Sequence, residues 1–450
     1  MITIISTIIL LGMVIFVHEL GHFIIARLCK VKVEKFSFGF GPKLVGIKIG
    51  ETEYRVSLIP LGGYVKMLGE NPDKEDDSDT FSNESFKYKK WWQKALIALG
   101  GPLSNFIFAI IILSLTFMIG IKTYDLEPIV GQISKINNQE FQKFKKDDKI
   151  IEIDGNKITG WMSIVTAWTK NDKQNHEVVI IRNGETTNLI VQNFDYQNWF
   201  TNIKPYVSAE VGEVLYGLPA YQSGIIENDI IIGINDTPIN DWYDMQKIIK
   251  ESPEIPLNFI IKRNDEIINM TVIPQLNLES DSNVGIIGIS QKLNLLFVEK
   301  FSIFKSIKYG FMSSIATVYR YYNGLFRLFR HPQHISKSFG GPIMIAAITG
   351  QQAEQGLTSF LSFMAMISII LMIMNLLPIP VLDGGLIIFA LLEGIFGKPV
   401  KPSIQALSQR IGLAIILTLM IFAFYNDISR FVSRQFSLKR NIIPGELKPQ

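Results

Sequence analysis

The 450-residue sequence is short of several things, and each shortage excludes something. It has one cysteine, Cys29, so there is no internal disulfide framework and no cysteine-based metal site. Charged residues are only 19% of the chain against 48% hydrophobic, a balance that leans to a multi-pass membrane protein with substantial polar parts. The formal net charge of +3 is too small to point to nucleic acid. Long low-complexity tracts are missing. So is a basic stretch ahead of the first apolar run, which continues past signal-peptide length and is expected to be a retained membrane helix.

What is present in quantity is apolar sequence. Four membrane helices are expected within 1–28, 95–121, 358–385 and 405–427, the last with the shortest apolar run. Lysines and arginines crowd residues 29–94, including Lys30, Lys32, Lys87, Lys89 and Lys90. The positive-inside bias puts that loop in the cytoplasm and the N-terminus outside. The 428–450 tail, with Arg430, Arg434, Lys439 and Arg440, argues the other way, but the bias of the first loop is larger.

The region between the second and third spans is then extracytoplasmic, and it repeats itself. Asp148-Lys149-Ile150-Ile151-Glu152-Ile153-Asp154 returns as Asp229-Ile230-Ile231-Ile232-Gly233-Ile234-Asn235, an offset of 229 − 148 = 81. The same offset carries Trp161 onto Trp242 and Arg182-Asn183 onto Arg263-Asn264. Each copy has short β-branched strands, a helical stretch and a hairpin-like close, so two small α+β domains are expected at 128–198 and 205–278. Residues 299–356 read as an amphipathic helical region. It is expected either on the membrane surface or packed on the repeats.

Chemistry centres on His18-Glu19-Leu20-Gly21-His22 in the first span. Two histidines four residues apart share one face of a helix and can ligate one zinc ion, with Glu19 between them as general base. Burying three ionisable groups in an apolar span is costly without a function, which weakens the reading that they are merely satisfied polar residues. A catalytic zinc needs a third protein ligand. His176, His331 and His334 fall on the outer side, at the wrong depth. Asp383 ends the third span, which also runs inward, in a segment broken by Pro378, Pro380, Gly384 and Gly385. A broken helix inside apolar sequence is tolerated where backbone faces protein or a wet cavity. An ordinary helix exit, with Asp383 as a turn residue, is the alternative.

Taken together, the zinc motif and the Asn375-to-Gly385 segment resemble the site-2 protease family of intramembrane metalloproteases. Phe38-Gly39-Phe40-Gly41-Pro42 and Gly100-Gly101-Pro102-Leu103-Ser104-Asn105 resemble further motifs of that family. The likeness runs from about residue 8 to residue 431. One departure is Leu386, where many relatives carry a histidine that is not a ligand.

The resemblance implies that His18, His22 and Asp383 bind Zn2+, that Glu19 activates water, and that Asn375 and Pro378 help hold substrate backbone. It implies that the repeats are tandem PDZ-like domains. The fold class is then a polytopic α-helical membrane protein with four transmembrane helices, a membrane-associated β-hairpin and two PDZ-like α+β domains.

Implied partners are the lipid bilayer and single-span membrane proteins, among them anti-sigma factors and remnant signal peptides. An upstream protease would make the first cut, in a bacterial inner membrane. The stretch Tyr54 to Met67 reads as strand, turn, strand, and its edge at Val65 and Met67 is expected to pair with unwound substrate. A structural hairpin capping the site is the alternative.

If a repeat takes a chain end, Gly217-Leu218-Pro219-Ala220 and Gly224 favour the second over the first, which has Asn137-Asn138-Gln139-Glu140. The repeats are expected to bar folded extracytoplasmic domains until that first cut. The acidic run Asp73 to Asp77 reads as a solvated loop. Competing readings are a non-catalytic PDZ scaffold and a metal transporter. Intact Glu19 speaks against the scaffold, and the lack of further ligands along a path speaks against the transporter.

Overall fold

The computed structural model describes residues 1–70, 83–134, 140–170, 175–192, 195–277, 284–330 and 341–442. The acidic run Asp73 to Asp77, Asn137 to Gln139, His331 and His334 lie outside the described residues. The chain divides into two units. The first comprises Met1–Ile121 and Glu299–Ile428, and the second is centred on Lys122–Val298.

The first unit opens with helix α1, Ile2–Leu28. Its sequence is apolar on every side, but Ser6, Leu10, Val14, His18 and Gly21 are buried along one stripe, so both histidines lie on or beside the face that packs inward. Strands β1 (Val33–Ile49) and β2 (Thr52–Met67) follow and make more than a simple hairpin. Val45–Ile49 pairs with Thr52–Val56 around a turn at Gly50, whose φ is 62°. Lys35–Phe38 pairs on one side with Glu53–Val56, numbers rising together, and on the other with Gly63–Lys66 in the opposite sense. The sheet therefore has four strips, in the order 45–49, 52–56, 35–38, 63–66. The expected turn inside 54–67 is instead where the chain crosses from an inner strip to the edge strip.

Phe16 and Phe23 of α1 pack on Phe36 of the sheet at ring distances of 5.7 and 5.2 Å, and Phe23 also meets Tyr54. These contacts seat the sheet against the C-terminal half of α1. Helix α2, Trp91–Ile119, begins four residues before the expected span and packs along α1. The two backbones nearly touch where Gly21 meets Gly100, and a Cβ on Gly21 would lie 2.1 Å from the Gly100 carbonyl oxygen.

The second unit confirms the 81-residue repeat bond by bond. Four strands form each sheet, in the order 156–157, 149–153, 175–182, 185–192 in the first copy and 237–238, 230–234, 257–263, 266–272 in the second. Helix α3 (Trp161–Lys170) is followed in the first copy by α4 (Tyr196–Asn202). The second copy has α5 (Pro219–Ser223) and α6 (Trp242–Glu251). Arg182 Nε and Nη2 donate to Asp148 and to the Lys143 carbonyl. Arg263 makes the same bonds to Asp229 and to the Gly224 carbonyl, each partner 81 residues on. Both aspartate side chains are fully buried, so each copy has its own closing strut. Each copy has its own buried core, one around Trp199 and the other around Phe259, with Leu126 packed against both.

The chain returns to the first unit with α7, Ile303–Arg330. Sequence left this helix between a membrane surface and the repeats. It packs along α2, with Gly310 against Ser114 and Phe117 against both Phe301 and Tyr309. Its outer side exposes Phe304, Phe311, Tyr319 and Phe326 together with Lys305, Lys308 and Arg320.

Helices α8 (Pro342–Gln355), α9 (Leu357–Asn375), α10 (Asp383–Phe396) and α11 (Pro402–Ile442) complete the unit. The stretch expected as a single third span, 358–385, is thus a helix, a break and the start of another. Prolines 378 and 380 explain the break, since neither can supply a helical N–H. Among the described residues, four helices are long and apolar enough to cross a membrane: Ile2–Leu28, Trp91–Ile119, Leu357–Asn375 and Pro402–Ser429.

Candidate active site

Three helices of the first unit bring the site together. α1 presents His18 and His22 one turn apart. α10 presents Asp383 at its first position, because the Pro-rich break ends there. α2 lies against both. Its start is tied to α10 by Lys94, whose Nζ is 2.8 Å from the Glu393 carboxylate, and by Trp91 packed on Gly394.

The donor atoms converge. His18 Nε2 is 3.2 Å from His22 Nε2 and 3.2 Å from Asp383 Oδ2, while His22 Nε2 is 3.4 Å from Asp383 Oδ1. Tetrahedral zinc with bonds of about 2.0–2.1 Å sets its ligand atoms about 3.3–3.4 Å apart. The His–His distance and the distance from each histidine to its nearer carboxylate oxygen fall close to that edge length, and one ligand atom from each residue lies within 4.8 Å of the others. Asp383 Oδ2 is buried and has no well-directed hydrogen bond, as expected of a ligand atom. Gly101 leaves the room required, since a Cβ there would lie 2.3 Å from His22 Nε2 and 2.8 Å from His18 Nε2. Among the described residues, no other group of three or more His, Cys, Asp or Glu side chains converges in this way.

The far side of each ring is also held. His22 Nδ1 lies 2.8 Å from the Ile97 carbonyl oxygen, and His18 Nδ1 lies 3.3 Å from the Asn105 side chain. A histidine that ligates through Nε2 keeps its proton on Nδ1, so a partner there fixes both tautomer and ring plane.

Glu19 points to the sheet. The backbone N–H of Val65 is turned to its carboxylate, and the edge strip passes so close at Gly63 that a Cβ would lie 2.9 Å from Glu19 Cγ. The edge strip therefore borders Glu19. The Val65 and Met67 side chains are each only 8% exposed and fill the cluster between sheet and α1. What this strip offers outward is backbone, not those side chains.

Asn375 is the last residue of α9 and Pro378 is exposed in the break that follows. The Asn375 amide has no protein partner among the described residues. His176 belongs to the second unit, where its Nδ1 is 2.7 Å from Asp154.

Sequence reading assigned no role to Gly101, Asn105 or the Ile97 carbonyl. The signal was present in Gly100-Gly101-Pro102-Leu103-Ser104-Asn105, where two glycines and a buried amide interrupt an apolar span. Their direction of facing was not readable, because α2 is apolar around its whole circumference.

Comparison with known proteins agrees with this geometry. The profile of Peptidase family M50 matches residues 6–419. A Vibrio cholerae protein whose name assigns it as a zinc metalloprotease is 31% identical over 95% of this chain and 98% of its own length. Protease RseP of Yersinia pestis is 32% identical over 94% of this chain and 97% of its own. Regulator of sigma-E protease RseP of Escherichia coli K12 is 31% identical over 94% and 98%.

Proposed function

The chain belongs to peptidase family M50, and from that premise we propose that it is a zinc endopeptidase cutting single-span membrane proteins within the bilayer. The observation that carries this reading is the convergence of His18, His22 and Asp383, with the two Nε2 atoms 3.2 Å apart and each 3.2–3.4 Å from one oxygen of the Asp383 carboxylate, on helices that are or adjoin apolar spans, with Glu19 beside them. The names of the Vibrio and other relatives support zinc as the metal.

His18, His22 and Asp383 would hold the ion. When bound, zinc supplies Lewis acidity that lowers the pKa of water and polarises a scissile carbonyl. Glu19 takes the proton from the attacking water and returns it to the leaving amine nitrogen. The Val65 N–H steadies the Glu19 carboxylate in that role. A substrate helix must unwind first, because its carbonyls are already hydrogen-bonded internally. Among the described residues the edge strip 63–66 pairs on one side only, with 35–38, and an extended substrate added to its other side would run past Glu19. The unpaired Asn375 amide and Pro378, in the break before Asp383, are assigned to holding that extended backbone.

By likeness to the sigma-E regulators, the substrate class is an anti-sigma factor or remnant signal peptide, already cut once by another protease. The repeats are assigned as PDZ-like domains that screen substrates on the extracytoplasmic side of an inner membrane. The second copy is the favoured receptor for a chain end.

The test is Glu19→Gln in the full chain, reconstituted with a single-span reporter. Zinc content is expected to stay unchanged and cleavage to vanish. Undiminished cleavage would remove Glu19 as the base, and a wild-type chain that leaves the reporter uncut would reopen the scaffold reading.

A further inference from the structure

Asn105 is fully buried in the middle of α2. It connects three helices: its side chain meets His18 of α1, and its main-chain carbonyl accepts a 2.9 Å hydrogen bond from Ser368 Oγ of α9. Its side-chain oxygen, Oδ1, has no hydrogen-bond partner, although buried polar atoms are rarely left so. Its Nδ2 is the end nearer His18 Nδ1, at 3.3 Å.

The chemistry of a ligating histidine decides which end belongs there. An imidazole that gives Nε2 to a metal carries its proton on Nδ1, so Nδ1 is a donor. An amide NH2 is also a donor and cannot receive it. The amide oxygen can, and a half-turn of the carboxamide exchanges the two ends without changing its shape. The atom without a partner is the one that a loaded His18 requires.

We propose that Asn105 is the positioning residue of His18, its Oδ1 accepting the Nδ1–H bond that fixes the ring with Nε2 toward the metal. His22 has the corresponding acceptor in the Ile97 carbonyl, which no side-chain substitution removes. Asn105 is thus the replaceable half of the support beneath the two histidines. This inference rests on the zinc reading given above.

The experiment measures apparent zinc affinity of the full chain in detergent micelles, by competition with a fluorescent chelator. Asn105→Leu keeps the shape and loses the acceptor, and is expected to weaken zinc about 10- to 100-fold. Asn105→Asp is acceptor-only and is expected to hold zinc within about threefold of wild type, or more tightly. Asn105→Ser retains an acceptor hydroxyl and carries the same expectation if the aspartate variant does not fold.

Equal losses in the leucine and acceptor variants would overturn the proposal, because packing and not the acceptor would then matter. Wild-type affinity in Asn105→Leu would overturn it as well. His18→Ala separates the two levels. If that variant keeps full zinc affinity, the zinc reading itself falls and this inference with it. If it loses zinc while Asn105→Leu does not, only the inference falls.

Discussion

Gly101 of α2 sits directly over His22, with no side chain between its Cα and the ring nitrogen that faces Asp383. A methyl group placed there would occupy the space where the three donors meet. Gly101→Ala adds helix propensity of about 1 kcal/mol, so loss of function would not be a simple failure to form the helix. The expected result is a folded protein with little zinc and no cleavage of a single-span reporter. Metal analysis of the purified variant beside its melting curve checks this, and a variant with full zinc content would contradict it.

Metal removal gives a second expectation. A ligand that binds only the folded chain raises its stability by mass action. Chelation should therefore abolish cleavage and lower the melting temperature, and added zinc should restore both. His18→Ala should melt at the chelated value whether or not zinc is present. A chelated wild type that melts as before would mean that the donors are held apart from any metal contribution.

The duplicated strut makes a third prediction. Asp148 is fully buried against Arg182, and Asp229 against Arg263. Removing one partner of such a pair leaves a charge without compensation and costs about 3 kcal/mol or somewhat more. Asp148→Ala should destabilise the first repeat and Asp229→Ala the second. Hydrogen exchange should show the loss concentrated in the altered copy, because each copy has its own set of buried residues. Loss of protection in both copies from either change would show that they unfold as one.

A fourth prediction concerns α11. Asp427 is 3% exposed, and its carboxylate accepts from the backbone N–H groups of Gly341, Ile343 and Met344 at 2.9–3.1 Å, capping α8. Asp427 does from α11 what an N-cap side chain does locally, and losing such an acceptor costs about 0.5–2 kcal/mol. Asp427→Ala should raise hydrogen exchange in the first turn of α8, and Asp427→Asn should recover most of the protection. Unchanged exchange in the alanine variant would show that the cap does not hold the turn.

Much of the first unit could be read before its coordinates, for a physical reason. Long apolar runs have few alternatives to helices, and two histidines at a four-residue spacing share a face whatever the helix packs against. Asp383 was reachable because depth in a membrane is a one-dimensional argument. The repeat was legible because one offset carries Asp148, Trp161 and Arg182 together, and the same offset reappears in their hydrogen bonds.

What could not be read was lateral. The Pro60-Leu61-Gly62-Gly63 stretch looks like a reversal, yet it carries the chain across to the far edge of the sheet, since Lys35–Phe38 takes partners on both sides. Composition cannot distinguish a reversal from a crossing. In the same way α7 has an apolar stripe but no mark that it lies on α2, and Asn105 has no mark that it faces His18.

The strip order 45–49, 52–56, 35–38, 63–66 also ranks the steps by which the sheet closes. The hairpin at Gly50 joins neighbours as little as 52 − 49 = 3 residues apart. The inner pairing spans 53 − 35 = 18 residues, and the edge pairing spans up to 66 − 35 = 31. Loop-closure entropy rises with each of these separations, so the strip beside Glu19 is entropically the costliest to close. It is held by one neighbour where each inner strip has two. Opening the strip beside Glu19 would therefore break its pairing with 35–38 alone and leave the strips behind it paired.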